Sequence, residues 1–135
     1  MQHDANIVAT IMLVEDHPAT RAAVMELVGI AFPRSPLIAA GSAEQALVLC
    51  ASAAPDLIVM DIALPGMNGI DATRRIKALF PGTHVVVYSS YDKAVYRDES
   101  AAAGAGAFVN KSKVATELVP VIALLLASGP ARKRD

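Results

Sequence analysis

Five short apolar runs punctuate the chain: Ile7–Val14, Leu37–Ala40, Leu57–Met60, Val85–Tyr88 and Ala107–Val109. Each is too short for a helix, and three are rich in β-branched residues. Their apolar positions are continuous rather than alternating, which fits strands buried on both faces. Between them the pattern changes to helical spacing. Ala19–Ile30 sets Ala23, Leu27 and Ile30 on one face. Ala43–Cys50 does the same with Ala43, Ala46, Leu47 and Cys50, and Ser42 stands where an N-cap is wanted. Ile70–Phe80 turns Ile70, Thr73, Ile76 and Phe80 inward and Arg74, Arg75 and Lys77 toward water. Asp92–Ala103 and Thr116–Ser128 complete the series, the former with a poor amphipathic pattern because of its alanine run. In the latter, Thr116 as N-cap would put Pro120 in the first turn, where a missing N–H costs nothing.

Five β–α repeats imply an α/β fold: a doubly wound, five-stranded parallel sheet with helices on both faces. Right-handed crossovers then bring every strand's C-terminal end to one edge. Binding sites in such sheets lie at that edge, by a topological switch point. The spacing gives one domain over residues 1–128. Gly129 and Pro130 stop the last helix, and residues 129–135 read as a polar tail or the start of a linker.

Composition narrows the class. The chain has 135 residues, 54% of them hydrophobic, which is enough for one self-sufficient core. The formal charge of -1, from 12 basic and 13 acidic residues, gives no footprint for nucleic acid or anionic membrane. No basic n-region precedes the first apolar run, and the longest late apolar stretch, Val119–Ala127, is far short of the ~20 residues a span needs. A lone Cys50 on an apolar helical face is core rather than disulfide. A soluble, cytoplasmic protein is expected.

The strand ends carry the chemistry. The first run ends in Glu15-Asp16, the third meets Asp61, the fourth meets Ser89-Ser90, and Lys111 follows the fifth. Carboxylate oxygens suit a hard cation such as Mg²⁺, which uses one or two of them beside waters and phosphate oxygens. A carboxylate can also attack phosphorus to give an acyl phosphate. Lys111 could pair with the transferred group and Ser89 could donate to it. Singly, each residue has a plainer reading: helix caps for Glu15 and Asp16, turn residues for Ser89 and Ser90, a solvated surface lysine for Lys111. The convergence of all five groups on one edge is what favours a site. His17 reads as a solvated neighbour, and His84 falls at the opposite edge.

At these residues the sequence resembles the receiver domains of two-component response regulators, the CheY-like family with its flavodoxin-like fold. The resemblance spans Ile7 to Ser128. It rests on Val14-Glu15-Asp16-His17-Pro18, on Asp56 through Asp61, on Leu64-Pro65-Gly66-Met67-Asn68-Gly69, on Val87-Tyr88-Ser89 and on Phe108-Val109-Asn110-Lys111-Ser112. The Asp-His-Pro start and the Lys-Ser step look most like the NarL/FixJ-type subgroup. The resemblance implies that Asp61 is the phosphoacceptor, and that Glu15, Asp16, Asp61 and the Ala63 carbonyl hold Mg²⁺. It implies that Ser89 is the switch hydroxyl, that Lys111 contacts the phosphoryl group, and that Phe108 is the aromatic that changes rotamer. Ala63 and Tyr91 would flank the path of a hydrolytic water. Ser112 stands where many members have a proline after a cis bond, which a serine makes much costlier.

The implied function is to accept a phosphoryl group on Asp61 from a histidine kinase or phosphotransfer protein. The surface of the fourth helix, fifth strand and fifth helix would then switch, including Ala101–Ala103 and the apolar Val121–Leu126 segment, with a phosphorylation-dependent homodimer as one outcome. No direct nucleic-acid binding and no membrane association are expected. NarL-type proteins usually continue into a helix-turn-helix domain, so the chain is read as either a stand-alone receiver or a fragment. An enzyme reading, a haloacid-dehalogenase-like phosphatase, wants a second Asp where Ala63 stands. A binding-module reading, a receiver-like domain that is not phosphorylated, remains the alternative. Kinase, signal, output and oligomeric state are not written in these residues.

Overall fold

The computed structural model describes residues 2–131. A single helical turn, Gln2–Ala5, precedes strands β1 (Ile11–Val14), β2 (Leu37–Ala40), β3 (Leu57–Asp61), β4 (His84–Ser89) and β5 (Ala107–Asn110). They alternate with helices α1 (Pro18–Ala31), α2 (Ala43–Ala53), α3 (Gly69–Leu79), α4 (Ala94–Ala103) and α5 (Val114–Ala127), and a 3₁₀ turn at Lys111–Lys113 leads into α5. The strands pair in parallel in the order β2-β1-β3-β4-β5. This is the expected doubly wound sheet. Its strand order reverses between β1 and β3, so a crevice opens at their C-terminal ends.

The continuous apolar runs feed two cores. On one face Met12, Val14, Ile58, Met60, Val85 and Val87 pack against Ala43, Ala46 and Cys50 of α2 and Ala72 and Ile76 of α3. On the other, Ile11, Leu13, Leu57, Val59, Val86 and Val109 meet Val24 and Val28 of α1, Phe32, and Leu118 and Ile122 of α5. Every residue of β1, β3 and β4 is buried. Each aliphatic side chain so placed contributes about 1.5–3 kcal/mol of transfer free energy.

Four local expectations are corrected. β1 is shorter than its apolar run, because side chains take the backbone groups of residues 7–10. Ala9 N donates to Ser35 Oγ at 3.2 Å, Ser35 Oγ to the Ile7 carbonyl at 2.9 Å, and Thr10 N to Asp56 Oδ2 at 2.8 Å. The inner stripe of α1 is Val24 and Val28 running into Phe32, not Ala23, Leu27 and Ile30. Ile30 is 75% exposed, and the stripe that ends on a fully buried ring hides more apolar area. Lys77 does not face water. Its Nζ donates to the carbonyls of Pro81 and Thr83, both at 2.8 Å, and so closes the loop after α3. Finally, α5 starts at Val114 with Lys113 as its N-cap, so Thr116 lies within the helix and Pro120 in its interior. The cause is the 3₁₀ turn, which advances the helix start. Thr116 and Pro120 are both exposed, and solvent can reach the carbonyl that lacks a donor.

Other features follow the pattern. Ser42 caps α2, its side chain accepting from Gln45 N at 3.1 Å, and Pro18 opens α1. The Lys111–Ser112 bond is trans, since no cis peptide occurs among the described residues. Ser112 supplies an N–H that a proline would lack, and it donates to Asn110 Oδ1 at 2.9 Å. After α5, the Gly129 carbonyl lies 2.6 Å from His84 Nε2, and Ala131 N donates to the Gly82 carbonyl at 3.0 Å. The basic residues Arg132, Lys133 and Arg134 lie outside the described residues.

Gly69 opens α3 against the end of β3. A Cβ there would stand 1.9 Å from the backbone oxygen of Asp61, with no flexible atom to give way. Gly69→Ala is expected to cost about 3 kcal/mol or more, as a severe overpacking change. Gly29→Ala, whose Cβ would meet Leu37 Cδ1 at 3.4 Å, should be neutral to mildly stabilising. Urea midpoints of the two variants check this, and equal midpoints would contradict it.

Candidate functional site

The sheet register sets the site. β1 is paired with β3 up to Val14 and Met60, which brings Glu15 beside Asp61 one step further on. Asp61 is paired with Tyr88, and Ser89 with Asn110, so Lys111 follows directly. The groups that the sequence places at strand ends therefore share one edge.

Backbone contacts fix this edge. Glu15 N donates to the Ala40 carbonyl at 3.0 Å, and Arg21 Nη1 donates to the Glu15 carbonyl at 2.9 Å. After Asp61, Gly69 N donates to the Ile62 carbonyl at 3.0 Å. The Asn68 side chain caps α3, accepting from Ile70 N and Asp71 N, both at 2.9 Å. The tip between them turns at Gly66, with φ of 74°. Glu44 Oε2 accepts from Met67 N at 3.1 Å and ties that tip to α2.

Among the carboxylates, Glu15 is fully buried and Asp61 is 1% exposed. Lys111 Nζ lies between them, donating to Glu15 Oε1 at 2.9 Å and paired with Asp61 Oδ2 at 3.1 Å. Tyr88, also fully buried, donates its hydroxyl to Glu15 Oε1 at 2.6 Å. Burial opposes the charge on Glu15, but the donors Tyr88, Lys111 and the His17 amide outweigh it and hold the carboxyl down to about 2. Asp61 goes the other way. Burial pushes its carboxyl up to about 6, with the charge of Glu15 adding to the rise and Lys111 opposing it. Burial also disfavours the Lys111 ammonium, yet its two carboxylate partners hold its pKa above the usual lysine value.

Glu15, Asp16, His17 and Asp61 offer ligand atoms that all lie within 4.8 Å of one another. Two buried carboxylate oxygens of this group, Asp16 Oδ1 and Asp61 Oδ2, have no hydrogen-bond donor aligned on them among the described residues. Oxygens left this way suit a hard divalent cation, so the residues present fit a metal such as Mg²⁺. His17, the N-cap residue of α1, makes no side-chain cap bond. His17 joins the cluster more closely than the sequence implies. Its Nδ1 is 3.2 Å from Glu15 Oε2 and 3.3 Å from Asp16 Oδ1, although the side chain is 69% exposed.

The remaining positions divide. Ser89 is 1% exposed at the end of β4, and its Oγ accepts from Tyr91 N at 3.0 Å. Ala63 is exposed, and its N donates to Asp61 Oδ1 at 3.3 Å. Tyr91 is 59% exposed, with its ring tilted against Tyr96 at 6.4 Å. Phe108 stands apart from the carboxylates, half-buried beneath the Arg97 guanidinium at 4.6 Å. Residue types alone did not point to Tyr88 or Arg21. The available signal for Tyr88 was a phenol inside an otherwise aliphatic strand, since a buried tyrosine hydroxyl needs a partner.

The class of this parallel α/β domain, with buried acids and a lysine at its switch point, is narrowed by comparison with known proteins. The family model of the response regulator receiver domain matches residues 11–123. The chain belongs to that family, the receiver domains of two-component response regulators. It is 31% identical over 117 residues to the transcriptional activator protein ExaE of Pseudomonas putida, covering 87% of this chain and 55% of that protein. It is 36% identical over 81 residues to the nitrate/nitrite response regulator protein NarL of Escherichia coli K12, covering 60% of this chain and 38% of that protein. The chain thus spans about half the length, or less, of these curated relatives. Among solved structures it resembles a LuxR-family two-component response regulator from Aurantimonas sp. SI85-9A1, with a TM-score of 0.85 and 34% identity over 96% of this chain and 92% of that one. A CheY-like receiver from Methanospirillum hungatei JF-1, at a TM-score of 0.83 and 22% identity over 90% and 96% of the two chains, shares the fold. These matches bear out the NarL/FixJ-type resemblance.

The raised carboxyl of Asp61 has a consequence for stability. The folded value of about 6 lies above the ordinary 3.8, so folding disfavours the charged form. The penalty is absent below about pH 4, grows between about 4 and 6 and is constant above that. Asp61→Asn should therefore stabilise the metal-free protein at pH 8 by about 1–3 kcal/mol, with the gain vanishing near pH 4. Thermal unfolding in chelator across this range reads it. A gain that is the same at both ends would contradict the assignment.

Proposed function

We propose that this receiver domain accepts a phosphoryl group on Asp61 from a sensor histidine kinase or phosphotransfer protein. The observation that carries the reading is Lys111 Nζ, 3.1 Å from Asp61 Oδ2 and 2.9 Å from Glu15 Oε1, in a cluster of acids at the sheet's switch point. An Asp61 oxygen attacks phosphorus, the bond from phosphorus to the donor's nitrogen or oxygen breaks, and an acyl phosphate forms. Lys111 pairs with the new phosphoryl oxygens, and Ser89 turns its hydroxyl from the Tyr91 amide to donate to one of them. Glu15, Asp16, Asp61 and the Ala63 carbonyl would hold Mg²⁺, which when bound neutralises charge on the phosphoryl group. In this reading the chain is a phosphoacceptor rather than a turnover enzyme.

The same reading assigns the receiver to residues 1–128 and a polar tail or the start of a linker to 129–135. The surface of α4, β5 and α5 passes the signal on, through Phe108, to an output or to a second copy of the chain. No helix among the described residues is long and apolar enough to cross a membrane, and a cytoplasmic site of action suits a partner kinase that uses ATP. Acetyl phosphate with Mg²⁺, followed by intact mass, tests the core of the proposal. One phosphoryl addition is expected, lost in Asp61→Asn and much reduced in Asp16→Ala. Absence of any addition would favour the unphosphorylated binding module, and steady release of phosphate from small esters would favour a phosphatase.

Ala63 and Tyr91 set how long the group persists. Ala63 has no polar atom to orient a water, and Tyr91 presents bulk rather than a base. Self-dephosphorylation is therefore slow. Ala63→Asn and Tyr91→Glu should each accelerate decay, on the order of tenfold where a water becomes well oriented. Decay of the labelled protein at fixed Mg²⁺ measures this, and parent-like or slower rates in both variants would refute it.

A further inference from the structure

Tyr88 precedes Ser89 on β4, and its side chain leaves the sheet on the face that meets α1 and α5. It is fully buried, and a phenylalanine would fill the same space. What the hydroxyl adds is one hydrogen bond, to Glu15 Oε1 at 2.6 Å. That oxygen is the one Lys111 Nζ also serves at 2.9 Å, and Nζ stands 4.8 Å from the centre of the Tyr88 ring. The second Glu15 oxygen, Oε2, accepts from the His17 amide at 3.1 Å.

We propose that Tyr88 is a positioning residue for phosphoryl capture: its hydroxyl keeps Glu15 Oε1 partnered, so that Lys111 is free to turn from Glu15 to the phosphoryl oxygens on Asp61. The inference rests on the phosphoacceptor reading of Asp61. Before transfer the ammonium is divided between two carboxylates. A phosphoryl group on Asp61 brings further anionic oxygens to one side of it. Glu15 is fully buried and has no solvent to fall back on, so losing both donors at Oε1 would be costly. With the Tyr88 hydroxyl in place, the departure of Lys111 leaves that oxygen still hydrogen-bonded. With phenylalanine at this position, Lys111 becomes the sole donor among the groups described, and Glu15 competes with the phosphoryl group for it.

This division of labour predicts a split that ordinary damage to the core does not. In Tyr88→Phe, Lys111 still holds Glu15 in the resting state, so Mg²⁺ binding by calorimetry should stay within about twofold of the parent. Binding of beryllofluoride, a phosphoryl mimic, at saturating Mg²⁺ should weaken by about tenfold or more, the worth of one hydrogen bond to a charged group. In a Glu15→Ala background the same change should have no effect on beryllofluoride binding, because the hydroxyl then has nothing to hold. Tyr96→Phe, a loss of hydroxyl on α4, serves as the control and should match the parent. Equal losses of Mg²⁺ and beryllofluoride binding, or no loss of either, would overturn the role of Tyr88 and leave Asp61 as phosphoacceptor untouched. A parent chain that takes neither beryllofluoride nor a phosphoryl label would overturn the underlying reading and this inference with it.

Discussion

One ammonium shared by two buried carboxylates is the constraint around which the rest of the molecule is arranged. Lys111 reaches Glu15 and Asp61 at 2.9 and 3.1 Å, where both acids are essentially sealed from solvent. Such a group is a poor source of stability. Desolvating three charges costs more than their attraction returns unless hydrogen bonds complete the set. Glu15 has that completion, from Tyr88 and the His17 amide, and is held well ionised at about 2. Asp61 has fewer partners, the Ala63 amide at 3.3 Å and the Lys111 ammonium at 3.1 Å, and burial pushes it up to about 6. The cluster is therefore uneven by construction: the acid with a full set of donors is settled, and the acid without one is poised to gain from a cation or from a covalent change.

Holding an unsettled acid in place requires rigidity around it, and the local structure supplies this on both sides. The parallel register fixes Asp61 between Glu15 and Tyr88. The turn beyond it is anchored by Asn68 capping α3 and by Glu44 receiving the Met67 amide. Gly69 allows the first turn of α3 to lie against the Asp61 backbone at a distance no side chain permits. The two aliphatic cores stabilise the fold and leave the edge to be shaped by these few polar contacts.

Much of this was legible in the residues. Short continuous apolar runs fit two-sided strands, and their alternation with helical segments fits a parallel sheet, so the meeting of Glu15, Asp16, Asp61, Ser89 and Lys111 followed from element order. What escaped was whatever depends on a choice between near-equal local options. Two arcs of α1 are apolar, and only the packing of Phe32 selects Val24 and Val28. Lys77 looks like a surface residue until the carbonyls of Pro81 and Thr83 come within its reach. The apolar pattern of residues 7–10 reads as strand, but Ser35 and Asp56, distant in sequence, claim its backbone. Tyr88 escaped for the same reason: its partner lies 73 residues away, and the pattern shows only one more large side chain in a buried strand.

The far side of β5 is built differently, and the contrast bears on how a change at Asp61 could travel. The buried residues of α4 are Ser100 and Ala103, so little apolar area holds it to the sheet, and among the described residues Ser100 Oγ is buried without a hydrogen-bond partner. On its surface Arg97 pairs with Asp92 at 2.5 Å and lies over the half-buried Phe108 ring at 4.6 Å. A cation over an aromatic face is worth only about 0.5–1 kcal/mol where solvent has access. Ser89 and Phe108 occupy neighbouring strands, with Phe108 paired to Val87 and Ser89 to Asn110. A hydroxyl drawn toward Asp61 would thus act beside a helix whose buried side chains are small. Rigidity is concentrated where an acid must be held in place, and the helix with the smallest buried side chains, Ser100 and Ala103, sits one strand away. A charge change of a few kcal/mol would have less to displace at α4, whose buried side chains are small, than in the two aliphatic cores.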